Sequence, residues 1–378
     1  MDKIYLDNAA TTPILPEVVD VMSKAMLENF GNPSSTHGYG RTAKAALEKA
    51  RKKISSHFNV SSSEIIFTSG GTEADNMVLK NAVINLGVDT IVTTKIEHHA
   101  VLHVIDFLRE RYNTKVIYLD VDFKGNINLK NLSNILSNLD GKILVSLMWV
   151  NNEVGNLLPI KEVTAICKEN GALFHSDTVQ AIGHYTLDLQ EVPLDFMVAS
   201  AHKFHGPKGV GFAFVKKGLD LKPMFHGGNQ ERGARSSTEN LHSILGMEKA
   251  LSLSYINLDT DMSYIKRLKE YFIDKLKKEF EGVEFNGESE NLDKSSDTIL
   301  NVRLPFSHDM LLFSLDLSGV AVSGGSACQS GSNIGSHVLS ELLLKSENKN
   351  RSSVRFSFSK LNTFKDIDVT IRLLKKFI

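Results

Sequence analysis

A lysine and an aspartate, each following a short apolar run, are the residues of this chain whose types and spacing are best suited to chemistry. Lys203 lies in Ser200-Ala201-His202-Lys203-Phe204-His205-Gly206-Pro207-Lys208-Gly209, directly after Asp195-Phe196-Met197-Val198-Ala199. Upstream, Ala172-Leu173-Phe174-His175 delivers Asp177 and then Gln180, so the lysine and aspartate are 26 residues apart. Pyridoxal 5'-phosphate uses such a pair: a lysine for a Schiff base, and a carboxylate that keeps its ring nitrogen protonated. A lone lysine is more often a solvated side chain beside a loop. The residues around this one favour the cofactor.

A phosphate cradle is one of them. After Glu64-Ile65-Ile66-Phe67-Thr68 comes Ser69-Gly70-Gly71-Thr72-Glu73-Ala74, which opens an expected helix. Gly70 and Gly71 allow close backbone approach, and a helix amino terminus offers unpaired N–H groups with a favourable dipole. Thr72 adds a hydroxyl, and Ser200 and His202 beside Lys203 complete a set for one phosphate. Simple capping of the helix by Ser or Thr is the competing reading. No Gly-Lys-Ser/Thr follows, so the loop is not of the type that binds nucleoside triphosphates.

A ring pocket is the other. Asn151-Asn152-Glu153-Val154-Gly155 and Glu97-His98-His99-Ala100 each follow an apolar run. A flat imidazole stacks on a pyridine ring and moves protons near neutrality, and His98 is the candidate for that. The pairs His99/His103 and His202/His205 raise the question of a metal. Neither carries the Glu of a His-Glu-x-x-His motif, and Cys167 and Cys328 lack metal spacing, so no metal is expected.

The elements that must position these residues read as an α/β fold. Strand candidates are Glu64–Thr68, Thr90–Thr93, Val116–Leu119, Ile143–Met148, Leu173–His175, Phe196–Ala199 and Gly211–Val215. Uninterrupted apolar runs of this kind suit a mostly parallel seven-stranded sheet covered on both faces by helices, with sites at the carboxyl ends of its strands. Helices are expected over Arg41–Phe58, Ile160–Glu169 and, with more charge, Met262–Phe280. The texture changes near residue 257: a strand over Asp297–Arg303, a helix from His308, a strand over Ser353–Phe358 and a terminal helix Phe364–Ile378 suggest a smaller α+β domain. The division expected is a large domain of residues 14–257 and a small one of residues 1–13 and 258–378.

Composition narrows the partners. The chain has 378 residues, 43 basic against 44 acidic, and a formal net charge of −1. That balance argues against direct nucleic-acid or anionic-membrane binding, which call for a basic surface. No apolar stretch approaches the roughly 20 residues that span a bilayer. Two cysteines make no disulfide framework, and Met1-Asp2-Lys3-Ile4-Tyr5 lacks a signal-peptide apolar segment, so a cytoplasmic location is expected.

Taken together, several stretches resemble the cysteine desulfurases of the NifS and IscS type, in the class V aminotransferase group of fold-type I pyridoxal phosphate enzymes. They are Leu6-Asp7-Asn8-Ala9-Ala10-Thr11-Thr12-Pro13, Phe30-Gly31-Asn32-Pro33-Ser34-Ser35, Asn151-Asn152-Glu153, His202-Lys203 and Ser323-Gly324-Gly325-Ser326-Ala327-Cys328. The resemblance runs over nearly the whole chain. It implies that Lys203 carries the cofactor, Asp177 pairs with the ring nitrogen, Gln180 bonds the phenolic oxygen and His98 stacks on the ring and carries protons. It further implies that Gly71, Thr72, Ser200 and His202 contact the phosphate, and that Thr238 reaches the phosphate of a neighbouring subunit in a homodimer. Asn152 and Arg355 would hold the substrate carboxylate, a task that suits the planar fork of arginine; a surface ion pair is the plain alternative for Arg355.

The implied reaction takes sulfur from L-cysteine, leaves L-alanine and forms a persulfide on Cys328. The sulfur would pass to an acceptor protein of iron–sulfur cluster assembly or tRNA thiolation. The Gly- and Ser-rich flanks of Cys328 suit a thiol that must travel, whereas Cys167, on an expected helix, suits burial. Departures from the family are Ser237 where glycine is common, Gly71 where alanine is common, and a chain that reaches Ile378 without the longer tail that docks a scaffold in many members. The nearest alternatives are a selenocysteine lyase or another class V aminotransferase or β-lyase. An idle sulfur-trafficking scaffold is the alternative outside catalysis.

Overall fold

The computed structural model describes residues 3–324, 335–344 and 346–377, so Cys328 lies outside the described residues. A two-residue strand β1 (Ile4–Tyr5) precedes the main sheet. The sheet is built from β2 (Ile65–Thr68), β3 (Thr90–Thr94), β4 (Lys115–Leu119), β5 (Ile143–Ser146), β6 (Leu173–Asp177), β7 (Phe196–Ser200) and β8 (Gly211–Val215). Their order across it is β2-β8-β7-β6-β5-β3-β4. From β7 to β4 all neighbours are parallel, while β8 runs antiparallel to both β2 and β7. Six strands therefore share one direction. This is the mostly parallel seven-stranded α/β sheet expected from the apolar runs.

Alternation along the strands divides the sheet residues between two cores. Phe67, Val92, Val145, Phe174, Met197 and Phe212 pack with the helices Gly38–Ser56, Ile160–Glu169 and Leu241–Ile256. Their neighbours Ile66, Ile91, Leu144, Phe196, Val198 and Ala213 pack with the helices Gly71–Ile84 and His99–Tyr112. Cys167 belongs to the first of these cores, and burial pushes its thiol pKa up to about 12. Among the described residues no helix is long and apolar enough to cross a membrane.

Element ends depart from the sequence expectation where side chains compete for backbone groups. The run expected to Met148 is a regular strand only to Ser146: the Met148 N–H donates to the Glu97 carboxylate, 2.9 Å to Oε2, while the Leu147 and Trp149 N–H groups still donate to β6. Glu64 belongs to a short 3-10 turn rather than to β2, since its carboxylate accepts the Ser61 N–H. The helix expected from Arg41 starts at Gly38, where His37 accepts the Gly40 N–H and supplies the cap. The helix expected from His308 starts at Leu311, and the terminal helix ends at Leu374 in a 3-10 turn Lys375–Phe377.

A separate apolar core forms beyond the main sheet. Its sheet comprises β9 (Glu284–Phe285), β10 (Ile299–Arg303) and β12 (Ser353–Ser357), antiparallel in the order β12-β10-β9, with a strand β11 (Val320–Ala321) paired in parallel to β1. The helices Leu258–Glu279 and Phe364–Leu374 cover it, and Ile4 and Leu6 complete it from the start of the chain. Against this core lies a fully buried amine. Lys269 Nζ donates to Ser295 Oγ (2.7 Å) and Ser296 O (2.8 Å), while the Ser296 N–H donates to Gly155 O (2.7 Å). The lysine thus secures the turn on which the Asn152 loop rests.

Burial pulls the Lys269 pKa from 10.5 down to about 7, with Asp297 opposing the shift. Between those values the unfolded chain binds this proton and the folded chain does not, so stability rises with pH across the window. Below about 7 both states are protonated and the folded state bears the full cost of burial. In urea unfolding, the wild type should gain stability over Lys269→Met as pH rises through this window. A difference between the two that does not change with pH would contradict it.

Candidate active site

Because six strands share a direction, the carboxyl ends of β2, β3, β5, β6 and β7 emerge along one edge of the sheet, where α/β folds gather ligands. The antiparallel β8 starts at that edge and brings Gly209 and Gly211 to it. The edge is crowded with backbone: a Cβ on Gly211 would lie 2.3 Å from Ala199 O and 2.8 Å from Gly70 Cα. Gly70 takes φ +152°, a conformation that favours glycine, and a Cβ on Gly71 would meet Val179 Cγ2 at 2.7 Å. No side chain caps the helix Gly71–Ile84. The Ser or Thr cap considered from the sequence is therefore absent, and the first N–H groups of the helix remain available to a ligand. Glu73 fixes the loop from outside by accepting the Ser69 N–H (2.9 Å) and pairing with Arg235 (2.8 Å).

This edge encloses a cavity of about 380 Å³. Of the residues singled out in the sequence, Lys203, Asp177, Gln180 and His98 line it, together with Gly71, Thr72, Ser200 and His202. Asn152 and Arg355 close it from the side of the smaller core. Thr238 does not join them. It lines a neighbouring cavity of about 240 Å³, which shares Ser69 and Gly209 with the first.

Lys203 reaches across the cavity to the amino-terminal segment, where its Nζ donates to Ala9 O (2.6 Å) and Ala10 O (2.9 Å). Gln180 Nε2 donates to the same Ala9 carbonyl at 2.9 Å. His202 faces Thr11 Oγ1 at 3.2 Å, and its pKa falls to about 4 through burial and the charges of Lys203 and Lys208. His98 caps the helix His99–Tyr112: its Nδ1 accepts the Ala100 N–H (3.1 Å), which leaves the proton of the neutral ring on Nε2. Burial lowers its pKa, against the pull of Asp177. Arg355 is buried rather than at the surface; its guanidinium donates to Asp7 Oδ1 (2.9 Å) and Asn152 O (2.7 Å). Its Nε and the Asn152 Oδ1 are buried without a hydrogen-bond partner.

Asp177 accepts the Val179 N–H at 2.9 Å. Burial raises its pKa, while His98, that N–H and Lys203 act the other way. Two further buried carboxyl groups surround it. Burial raises Glu97 to about 8 and holds Asp75 well above the usual carboxylate range, and the negative neighbours add to both. Sequence reasoning missed Asp75, Lys208 and Val179 as cavity-lining residues, and Asp7 as the partner of Arg355. Asp75 did leave a signal, as an acidic residue on the apolar stripe Ala74, Met77, Val78. Among the described residues no group of three or more His, Cys, Asp or Glu is arranged to hold a metal ion.

Residues 4–370 match the family model for aminotransferase class V. The chain is 40% identical over 381 residues to the cysteine desulfurase IscS of Dictyoglomus turgidum, covering 100% of this chain and 94% of that protein. Among solved structures, a NifS-like protein superposes with a TM-score of 0.89 at 34% identity over 99% of both chains. Another, described as SspA in complex with cysteine, superposes with a TM-score of 0.81 at 28% identity over 95% of this chain and 100% of that one. The chain belongs to the class V aminotransferase family and, within it, to the cysteine desulfurases.

Proposed function

We propose that this chain removes sulfur from L-cysteine with pyridoxal 5'-phosphate, giving L-alanine and a persulfide on Cys328. On this reading the sulfur passes to an acceptor protein for iron–sulfur cluster assembly or tRNA thiolation. The enzyme acts as a cytoplasmic homodimer, with Thr238 directed to the partner's site. The observation that carries the reading is the convergence of Lys203 and Asp177, from two adjacent parallel strands, on one cavity that also meets an uncapped helix amino terminus. The residues present fit the cofactor. The helix terminus, Thr72, Ser200 and His202 suit a phosphate, Asp177 suits a ring nitrogen, and Asn152 and Arg355 retain unpaired polar atoms. The cavity volume of about 380 Å³ is within the usual range for small-molecule sites.

Bound pyridoxal phosphate supplies an electron sink that delocalises the charge left when a substrate Cα proton departs, which makes the Cβ–S bond cleavable. The chain does the rest. The Lys203 amine removes the Cα proton as general base. Asp177, ionised, would hold the ring nitrogen protonated, and His98, neutral with its proton on Nε2, would serve as a proton carrier beside the ring. Arg355 and Asn152 grip the substrate carboxylate. Cys328 attacks the substrate sulfur as a thiolate. The overall balance is L-cysteine plus the Cys328 thiol giving L-alanine plus the Cys328 persulfide.

Alanine and sulfide formed from L-cysteine, with a reducing thiol and added pyridoxal phosphate, test this directly. Equimolar products from the wild type should fall to background in Cys328→Ser; undiminished products in the variant would remove Cys328 from the mechanism. Arg355→Lys keeps the charge but loses the fork. It should raise KM for cysteine roughly 10- to 100-fold, the equivalent of about 1.5–3 kcal/mol for a hydrogen bond to a charged group. An unchanged KM would mean that Arg355 serves only its ion pair with Asp7.

A further inference from the structure

We propose that Asp75 is a positioning residue of the pocket: held as the neutral acid against His175, it leaves Asp177 as the one ionised carboxylate on the pocket floor. This rests on the pyridoxal phosphate reading above. Asp75 lies on the helix Gly71–Ile84, is 1% exposed and lines the same cavity as Asp177. Its Oδ1 is 3.3 Å from His175 Nε2, and both atoms are buried without a hydrogen-bond partner, so a proton placed between them is the one way to satisfy both. His175 sits two residues before Asp177 on β6, so both side chains project to the same face. On the far side of the imidazole, Nδ1 is 2.9 Å from Ser146 Oγ of the adjacent strand β5.

Two proton arrangements satisfy this chain of groups. An ionised Asp75 would accept from His175 Nε2–H while Ser146 donates to Nδ1. A neutral Asp75 would donate to Nε2 while Nδ1–H donates to Ser146. The surroundings choose the second. The acidic groups facing Asp75 are Asp177 from β6 and Glu97 from the segment after β3, whereas Lys203 directs its positive charge at Asp177. His175 is wholly buried, and its pKa of about 3 makes it neutral, so it offers no compensating charge. Two carboxylates in a dry pocket cannot both ionise without strong repulsion. Lys203 and the Val179 N–H settle the charge on Asp177, and the proton goes to Asp75. A ring nitrogen facing Asp177 then meets one defined anion rather than a pair sharing a charge.

Infrared difference spectra of the wild type against Asp75→Asn test the assignment. A protonated-carboxyl C=O band at neutral pH should vanish in the variant, with and without bound pyridoxal phosphate. Asparagine is also neutral and its amide donates to His175, so Asp75→Asn should bind pyridoxal phosphate within about twofold of the wild type. Asp75→Ala, which strands His175, should bind roughly tenfold more weakly, of the order expected for an unsatisfied buried group. The proposal is overturned if no band is lost. It is equally overturned if Asp75→Asn weakens binding tenfold or shifts by a unit the pH at which the bound cofactor changes colour, since either would mean a charged Asp75. Unweakened binding by Asp75→Ala would mean that Asp75 positions nothing; if that variant does not fold, the band and Asp75→Asn decide. A wild type that takes up no pyridoxal phosphate overturns the proposed function and the positioning role with it, and the band alone then reports the protonation of Asp75.

Discussion

Burial raises the pKa of Asp177, and the proposed chemistry needs that same carboxyl ionised. Most of the architecture around the pocket bears on this conflict. Taking a charge out of water is costly unless a partner of opposite sign or a set of donors faces it. Asp177 receives both: the Val179 N–H donates to it, and the charge of the Lys203 amine acts on it. Parallel strands make the arrangement possible. They bring residues distant in sequence to one edge, and their apolar stretches exclude water behind that edge. An aspartate one residue earlier on β6 would face the opposite core, because side chains alternate along a strand.

The second constraint is that the site spans two cores. Asp177, Lys203 and His98 stand on the main sheet, whereas Arg355 stands on β12 of the smaller sheet. What joins them is a set of polar contacts: Arg355 to Asp7 and to the Asn152 carbonyl, Lys203 to the Ala9 and Ala10 carbonyls, and Lys269 to the turn against Gly155. Polar contacts of this kind fix direction better than apolar packing, which tolerates sliding. The proposed role of Arg355, gripping a small carboxylate beside a ring, would need that precision.

The apolar runs made the main sheet legible in the sequence, because a strand buried on both faces leaves a continuous signal that needs no partner to interpret. The same runs marked where Asp177, Ser200 and Lys203 would emerge, and the glycine pair marked the helix terminus. What the sequence concealed depended on tertiary contact. Asp75 stands out in sequence only as an acid on an apolar stripe, and its place beside His175 and Asp177 shows only in the fold. Only the resemblance singled out Arg355, since its local sequence fits a surface arginine equally well, and the approach of Asp7 from the opposite end of the chain is what reveals a buried pair. The ends of β5 and of the helix Gly38–Ser56 were misplaced for a related reason. Glu97 and His37 capture backbone N–H groups from outside the periodic pattern.

The proposed chemistry depends on Lys203 holding the cofactor, and one labelling experiment tests that. The protein saturated with pyridoxal phosphate is reduced with borohydride and digested, and the pyridoxyl group is located by mass spectrometry. Label confined to the peptide carrying Lys203 is the result predicted. Label on Lys208, which lines the same cavity, or no stable label at all, would contradict it.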